Sequence, residues 1–258
     1  MTLIMIGNYL PFLLIAFLAA FINAVSTIGV NMVFVPTASI LLSTIEGMTG
    51  NSAVALCFGI NVFANIFLLK IDQKSIPRSY WLAPAIFMTL ATAIGAKFLT
   101  RLPEVFFGFI LGIIIMLLGS WFLSGRKAWR PIALTEDVPK KSSWPDCFVP
   151  ALAGFCGGLF GINGPPLIFH FGRKFEKEAL RKLLLLLFTP STLVGFIVYI
   201  VDGLFTWDFL WIALACIPAL YLGTYIGNHF FSRLSTPAFS RIVGAILIII
   251  GVRLILAT

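Results

Sequence analysis

Eight long apolar stretches dominate this chain of 258 residues, and most of them approach the ~20 residues that a helix needs to span a bilayer. Sixty per cent of the residues are hydrophobic and 11% are charged, a composition that excludes an ordinary soluble domain. We therefore predict an all-α polytopic membrane protein. The stretches lie at 10–43, 51–69, 79–99, 104–123, 147–171, 183–201, 207–230 and 238–256.

The two halves of the chain resemble one another. The run FINAVSTIGVNMVFVP at 21–36 overlays FCGGLFGINGPPLIFH at 155–170 with an offset of 134 residues. Farther along, Gly112 matches Gly244 with an offset of 132, and a second glycine follows each of them after seven residues. Two inverted repeats that enclose one site are typical of secondary transporters. We therefore predict a transporter whose site lies where the two copies meet.

The distribution of lysine and arginine favours two segments that do not cross the membrane. If all eight stretches crossed, the 18 basic residues would divide equally between the two sides. If the stretches at 10–43 and 147–171 instead enter and leave on one side, only Lys97, Arg101 and Arg253 lie outside. The second arrangement obeys the rule that basic residues collect in cytoplasmic loops. The same rule accounts for the net charge of +8 without a nucleic-acid partner.

Glycine and proline explain why these two stretches would break. The first contains Gly29 followed by a proline, and the second contains Gly161 and the run Gly164-Pro165-Pro166. Proline lacks the backbone donor of a helix and clashes with the preceding turn. Because half of either stretch is too short to span a bilayer, we expect each to form a broken, re-entrant helical hairpin. Its tip must be buried in protein or line a wet cavity.

Each half of the chain then comprises one broken, re-entrant helical hairpin plus three transmembrane helices. Because three crossings are an odd number, the second half must be inverted. We predict a first inverted repeat at 1–125, a cytoplasmic linker at 126–146 and a second inverted repeat at 147–258. The N- and C-termini are expected outside the cell, with the chain in a bacterial inner membrane.

The hairpin tips carry polar groups without formal charge. A broken helix exposes unpaired N–H groups where its second half begins, and these donors and the helix dipole favour an anion. The alternative is that glycine and proline only shape a packed hairpin. The candidate substrate-binding residues at the tips are Ser26, Thr27, Gly29 and Asn31 in the first copy, and Gly161, Asn163, Gly164 and Pro165 in the second.

Three further residues are candidates for the same site. His170 could donate to a bound oxyanion or change charge with pH, or it could belong to a basic rim beside Arg173 and Lys174. Asn61 and its positional counterpart Ser191 lie inside apolar stretches, where polar groups usually face the interior of a helix bundle. Each of these two could line the pocket or form a hydrogen bond with a neighbouring helix.

The run GGLFGINGPPLIFHF at 157–171 resembles the G-x-x-G-x-G-G-P signature of the TauE/SafE sulfite exporter family. The length and the repeat plan are similar to this family over essentially the whole chain. The chain departs from the pattern in both copies. Asn163 stands where the signature usually has glycine, and Pro165-Pro166 stands where it has Gly-Pro. In the first copy Val30-Asn31-Met32 replaces Gly-Gly-Pro. The resemblance implies export of sulfite or a small organosulfur anion.

We therefore expect a secondary transporter that exports a small sulfur-containing anion by alternating access, at a midplane site between the two hairpins. A sulfur-compound uptake permease or an anion channel on the same scaffold is the alternative. The sequence contains no HExxH, GxSxG or P-loop motif and no metal-ligand spacing, so we predict no enzyme, cofactor or metal. The expected partners are the anion and the lipid bilayer. The glycine rows permit close helix contact, which could be within one chain or between the two chains of a homodimer.

Overall fold

The computed structural model describes residues 2–26, 30–43, 49–71, 76–124, 143–172, 174–175, 177–231 and 236–257. Within these residues the secondary structure consists of ten α-helices joined by turns and short loops. The helices are α1 (Thr2–Ser26), α2 (Asn31–Leu42), α3 (Ser52–Ile71), α4 (Arg78–Leu99), α5 (Glu104–Leu123), α6 (Trp144–Phe160), α7 (Gly164–Phe171), α8 (Lys177–Val201), α9 (Trp207–Phe231) and α10 (Thr236–Ala257).

The second predicted helix break is confirmed. The second apolar stretch is divided between α6 and α7, whereas each of the six stretches predicted as unbroken forms one helix. In the first stretch α1 ends at Ser26 and α2 begins at Asn31, and 27–29 lie outside the described residues. Helix α1 has 25 residues and is about 38 Å long at 1.5 Å per residue. It begins at Thr2, ahead of the apolar stretch, and continues through Pro11.

Four helices in the described part of the chain are long and apolar enough to cross a membrane. They comprise Arg78–Leu99, Glu104–Leu123, Ala179–Val201 and Trp207–Gly227. Large apolar side chains point outward from them, as at Leu117, which is 67% exposed, a pattern suited to contact with lipid. The other two predicted crossings, α3 and α10, have 20 and 22 residues, but some of their side chains lie outside the described residues.

The helices group into two compact units, and each unit takes helices from both halves of the chain. One unit comprises Met1–Ile60, Leu102–Lys127 and Phe205–Thr258, and the other comprises Asn61–Arg101 and Ala128–Leu204. In the first unit α1 packs against α9 and α5 against α10; in the second, α4 packs against α6 and α8. The proposed division of the sequence at 125 and 147 therefore differs from the grouping of the helices in space.

Glycine allows α4 and α6 to pack backbone against backbone. A Cβ added at Gly158 would collide with the carbonyl oxygen of Thr92, and one added at Gly95 would collide with the carbonyl oxygen of Phe155. The Tyr199 hydroxyl of α8 donates a hydrogen bond to the Gly158 carbonyl. Such close approach is a common way for helices to associate where both are surrounded by lipid. This close packing holds α6 against α4.

The pair α1 and α9 repeats this contact in the other unit. A Cβ added at Gly227 would lie 2.9 Å from the carbonyl oxygen of Phe21. Gly227 follows Gly95 by 132 residues, and Phe21 precedes Phe155 by 134 residues. These are the offsets at which the two halves of the sequence align, so equivalent residues meet in both units.

The glycine rows of α5 and α10 pack on each other within one chain. The carbonyl oxygen of Gly251 would lie 2.9 Å from a Cβ added at Gly112, and that of Gly244 would lie 2.7 Å from one added at Gly119. These rows were the basis for predicting a homodimer. Because the rows are occupied by an intramolecular contact, they provide no free face for a second copy, and the homodimer stays a prediction without their support.

Candidate functional site

The second helix break is produced by the backbone of Gly161. This residue ends α6 with φ 75° and ψ 4°, in the left-handed region, and its N–H donates to the Gly157 carbonyl oxygen at 2.7 Å. Glycine adopts this conformation without the steric cost that a Cβ imposes. The chain can therefore turn sharply at the end of α6, and α7 begins after three intervening residues.

Asn163 folds its side chain back over α6. A Cβ added at Gly157 would lie 2.9 Å from the Asn163 Cβ and 3.4 Å from its Nδ2, so Gly157 provides the space that the amide occupies. The side chain does not cap α7. The structure thus holds one amide donor beside the break, at the residue where the family signature usually has glycine.

The first turn of α7 offers fewer backbone donors than a helix start normally does. Pro165 and Pro166 have no N–H, and the N–H of Leu167 is bonded within the helix to the carbonyl of Asn163, so Gly164 supplies the available backbone donor of this turn. This narrows the anion-binding group expected from the sequence to one backbone N–H group and the Asn163 amide. No described atom lies within 4 Å of a Cβ added at Gly164, so there is open space beside this residue.

A core on one face of α7 holds this short helix in place. Leu167 and Phe171 are fully buried, in a cluster that includes Tyr80 and Met88 of α4 and Leu183 of α8. A helix of eight residues is not stable alone in water, so its position depends on such contacts.

The carboxylate of Asp146 joins the start of α6 to the end of α7. Oδ2 accepts hydrogen bonds from the backbone N–H of Ser143 at 2.8 Å and from its Oγ at 2.6 Å. Oδ1 lies 2.8 Å from His170 Nε2 and 2.5 Å from Lys174 Nζ. Burial favours the neutral carboxyl, but the hydrogen bonds from Lys174, Ser143 and His170 outweigh it and hold the pKa of Asp146 well below its usual value.

The structure gives His170 a partner that the sequence did not suggest. Its Nε2 is engaged at the Asp146 carboxylate, and its side chain is 19% exposed. Whether it also contacts a substrate stays a prediction. Lys174 was expected beside His170 as part of a basic rim, but Asp146 was missed as a member of this group. The run Ser143-Trp-Pro-Asp146 has the spacing of a helix capping box and could have revealed the role of Asp146 at the start of α6.

The polar residues of α3 and α8 that meet lie four positions and one position, respectively, after the expected pair. Ser191 is 1% exposed, and its hydroxyl donates to the Phe188 carbonyl of its own helix at 3.0 Å. Asn65 and Thr192 instead approach each other, with Nδ2 and Oγ1 3.5 Å apart. Asn61 is half-buried in α3. The assignment of Asn61 and Ser191 to the substrate site stays a prediction.

The first tip is described only at its edges. α1 ends at Ser26 and α2 begins at Asn31, which is half-buried. Thr27 and Gly29 lie outside the described residues, as does the side chain of Ser26. The contribution of these four residues to an anion site stays a prediction.

Comparison with known proteins identifies the family. The family model described as "Sulfite exporter TauE/SafE" matches residues 12–254. The chain is also 28% identical over 177 residues to the "Probable sulfite/organosulfonate exporter TauE" of Cupriavidus necator, an alignment that covers 64% of this chain and 68% of the relative. No solved structure matches the chain. The protein is a multi-pass membrane protein and belongs to the TauE/SafE sulfite exporter family.

Proposed function

We propose that this protein is a secondary transporter that exports a small sulfur-containing anion, sulfite or an organosulfonate, across the bacterial inner membrane. The observation that carries the proposal is the break between α6 and α7, where the Asn163 amide and the open space beside Gly164 adjoin the start of a helix. The name of the Cupriavidus necator relative supports the class of substrate.

The chemistry of the break suits an oxyanion that must be released again. Sulfite and sulfonate oxygens accept hydrogen bonds, and the Asn163 amide and the N–H group of Gly164 can donate them. The dipole of α7 adds a partial positive charge at its first turn. These three contributions attract an anion, and none of them is a full positive charge that would retain it.

The packing of equivalent glycines supports two repeats, as a transporter of this kind requires. Gly95 meets Phe155 in one unit and Gly227 meets Phe21 in the other, at the offsets that align the two halves of the sequence. In each unit, the longer arm of a broken pair packs against a helix from the other half of the chain. Inverted repeats with broken helices are the common basis of alternating access, which we propose as the mechanism here.

The membrane potential can drive export of an anion without a coupling ion. An inside-negative potential favours the exit of each negative charge by about 2.3 kcal/mol per 100 mV. We therefore expect electrogenic transport whose outward rate rises with the inside-negative potential.

Counterflow in proteoliposomes tests the function and the site together. Vesicles loaded with unlabelled sulfite should accumulate labelled sulfite, and sulfoacetate, taurine and sulfate are compared in the same assay. Asn163→Ala should raise KM about tenfold or more, because it removes a hydrogen bond to a charged group. Ser120→Ala is the control, since Ser120 is exposed on α5 and its hydroxyl bonds only its own helix. A lack of exchange for every sulfur anion would contradict the proposal, and flux without counterflow would indicate a channel.

A further inference from the structure

We infer that Asp146 is a positioning residue, which holds α7 so that Gly164 and Asn163 keep the geometry of the anion site. The inference rests on the proposed function of the break between α6 and α7. Asp146 lies away from the break along both helices, since it is in the first turn of α6, while His170 is in the last turn of α7 and Lys174 follows that turn. It acts through those partners and not on the substrate.

The two oxygens of the carboxylate serve different helices. Oδ2 is bonded to Ser143, which lies at the start of the same helix, whereas Oδ1 is bonded to His170 and Lys174 of the other arm. One carboxylate therefore caps α6 and ties α7 to it. Lys174 is also joined to the end of α7 through the backbone, because its N–H donates to the Phe171 carbonyl oxygen at 2.9 Å.

Helix α7 depends on this tie more than a longer helix would. It has eight residues, so it forms few internal hydrogen bonds. Its buried side chains Leu167 and Phe171 hold one face against the core. The contacts of His170 and Lys174 with Asp146 hold one end of α7, and Gly164 lies at the other end of the same short helix.

The charges explain why a neutral residue would not replace Asp146. Its side chain is 4% exposed, and that of Lys174 is 35% exposed. The Lys174 ammonium also lies 3.3 Å from His170 Nε2. Without the carboxylate, the ammonium would lose the buried counter-ion that draws it inward and would move toward water. The end of α7 would lose its link to α6.

A double-mutant cycle between Asp146 and Lys174 tests the inference. We expect Asp146→Asn and Lys174→Gln each to raise KM for the transported anion about tenfold, which is about 1.4 kcal/mol. The double variant should be no worse than the more affected single variant, since both changes remove the same link. Additive effects, or an unchanged KM in both single variants, would overturn the inference. If Asp146→Asn does not fold, Lys174→Gln alone decides the outcome through its KM.

Two matched variants separate positioning from other roles of an acidic residue. Ser143→Ala removes a contact of Oδ2 and leaves both contacts of Oδ1 in place. Asp202→Asn removes a different carboxylate, whose Oδ1 lies 2.5 Å from Lys97 Nζ and which belongs to neither arm. Both should retain the wild-type KM. A KM for Ser143→Ala as high as that of Asp146→Asn would show that Asp146 only caps α6.

A labelling measurement reports the position of α7 without relying on transport. A cysteine at Gly164, in a variant whose four native cysteines are replaced, should react with a small maleimide at a rate that changes at least about threefold when Asp146→Asn is added. An unchanged rate would overturn the positioning role even if the protein transports no sulfur anion. A changed rate in a protein that transports none would support positioning and contradict the proposed function.

Discussion

At the scale of single residues, Gly161 and Gly203 share an unusual backbone conformation and differ in location. Their φ angles are 75° and 76°, but Gly161 forms the break between α6 and α7, whereas Gly203 lies in the turn after α8. A side chain in this conformation costs about 1–2 kcal/mol. We predict that Gly161→Ala and Gly203→Ala lower the stability of the purified protein by similar amounts, measured by denaturation in detergent.

Transport should distinguish the two glycine variants. Gly161→Ala should weaken anion exchange beyond its effect on stability, because the strain is relieved by moving Asn163 and the start of α7. Gly203→Ala should exchange the anion as the wild type does, once the amounts of folded protein are matched. Equal transport by both variants would show that the geometry of the break between α6 and α7 does not determine anion binding.

A second prediction at the scale of single residues concerns Gly157, which lies against Asn163. An added Cβ would lie 2.9 Å from the Asn163 Cβ, so Gly157→Ala should push the amide away from its place over α6. We expect KM to rise about as much as in Asn163→Ala. A variant that combines Gly157→Ala with Asn163→Gly should match Asn163→Gly alone, since the amide and the Cβ that the added methyl group meets are then both absent. A further rise in the double variant would mean that Gly157 affects the site by another route.

The sequence allowed the break residues to be predicted but not their side-chain partners. Gly161 and Pro165 mark a helix end by their own backbone chemistry, which does not depend on the rest of the fold. The link from Asp146 to Lys174 depends on the return of α7 to the start of α6, and it crosses 28 residues. A local sequence pattern reveals only the contact between Ser143 and Asp146.

At the scale of helices, the close contacts of α4 with α6 and of α9 with α1 use equivalent glycines. Gly95→Ala and Gly227→Ala each place a methyl group against a backbone carbonyl of the partner helix. We predict that each lowers the free energy of unfolding by about 1–3 kcal/mol, as overpacking does in tightly packed interiors. Thermal unfolding in detergent measures the effect. Gly164→Ala is the control and should leave the stability unchanged, because the space beside it is open.

Helix lengths and partners were less predictable than helix positions. The apolar pattern places the eight stretches correctly, but α1 begins at Thr2, eight residues ahead of the predicted start of its stretch. The alignment of the two halves relates α4 to α9 and α1 to α6. It does not reveal that each helix packs against the partner from the other half, since periodicity reports which face is apolar and not which helix covers it.

At the scale of the whole molecule, the ends of α4 indicate how the chain is oriented in the membrane. Tyr80, near the start of α4, packs against Phe175 with ring centroids 5.3 Å apart, and Lys97, near its end, pairs with Asp202. Because α4 is long and apolar enough to cross a bilayer, we expect these two contacts at opposite membrane surfaces. The basic residues that follow α7 favour the cytoplasm for the surface that includes Lys174.

We therefore predict the sidedness of three cysteines introduced one at a time into a variant without the native cysteines. Cysteines at Ser143 and Lys174 should react with a membrane-impermeant maleimide only in inside-out vesicles, since α6 starts and α7 ends at the cytoplasmic surface. A cysteine at Gly203 should react only in intact cells or spheroplasts. Labelling of Ser143 and Lys174 from opposite sides would exclude a re-entrant α6–α7 pair. Labelling of all three with the reverse sidedness would retain the hairpin and invert the protein, placing its termini inside.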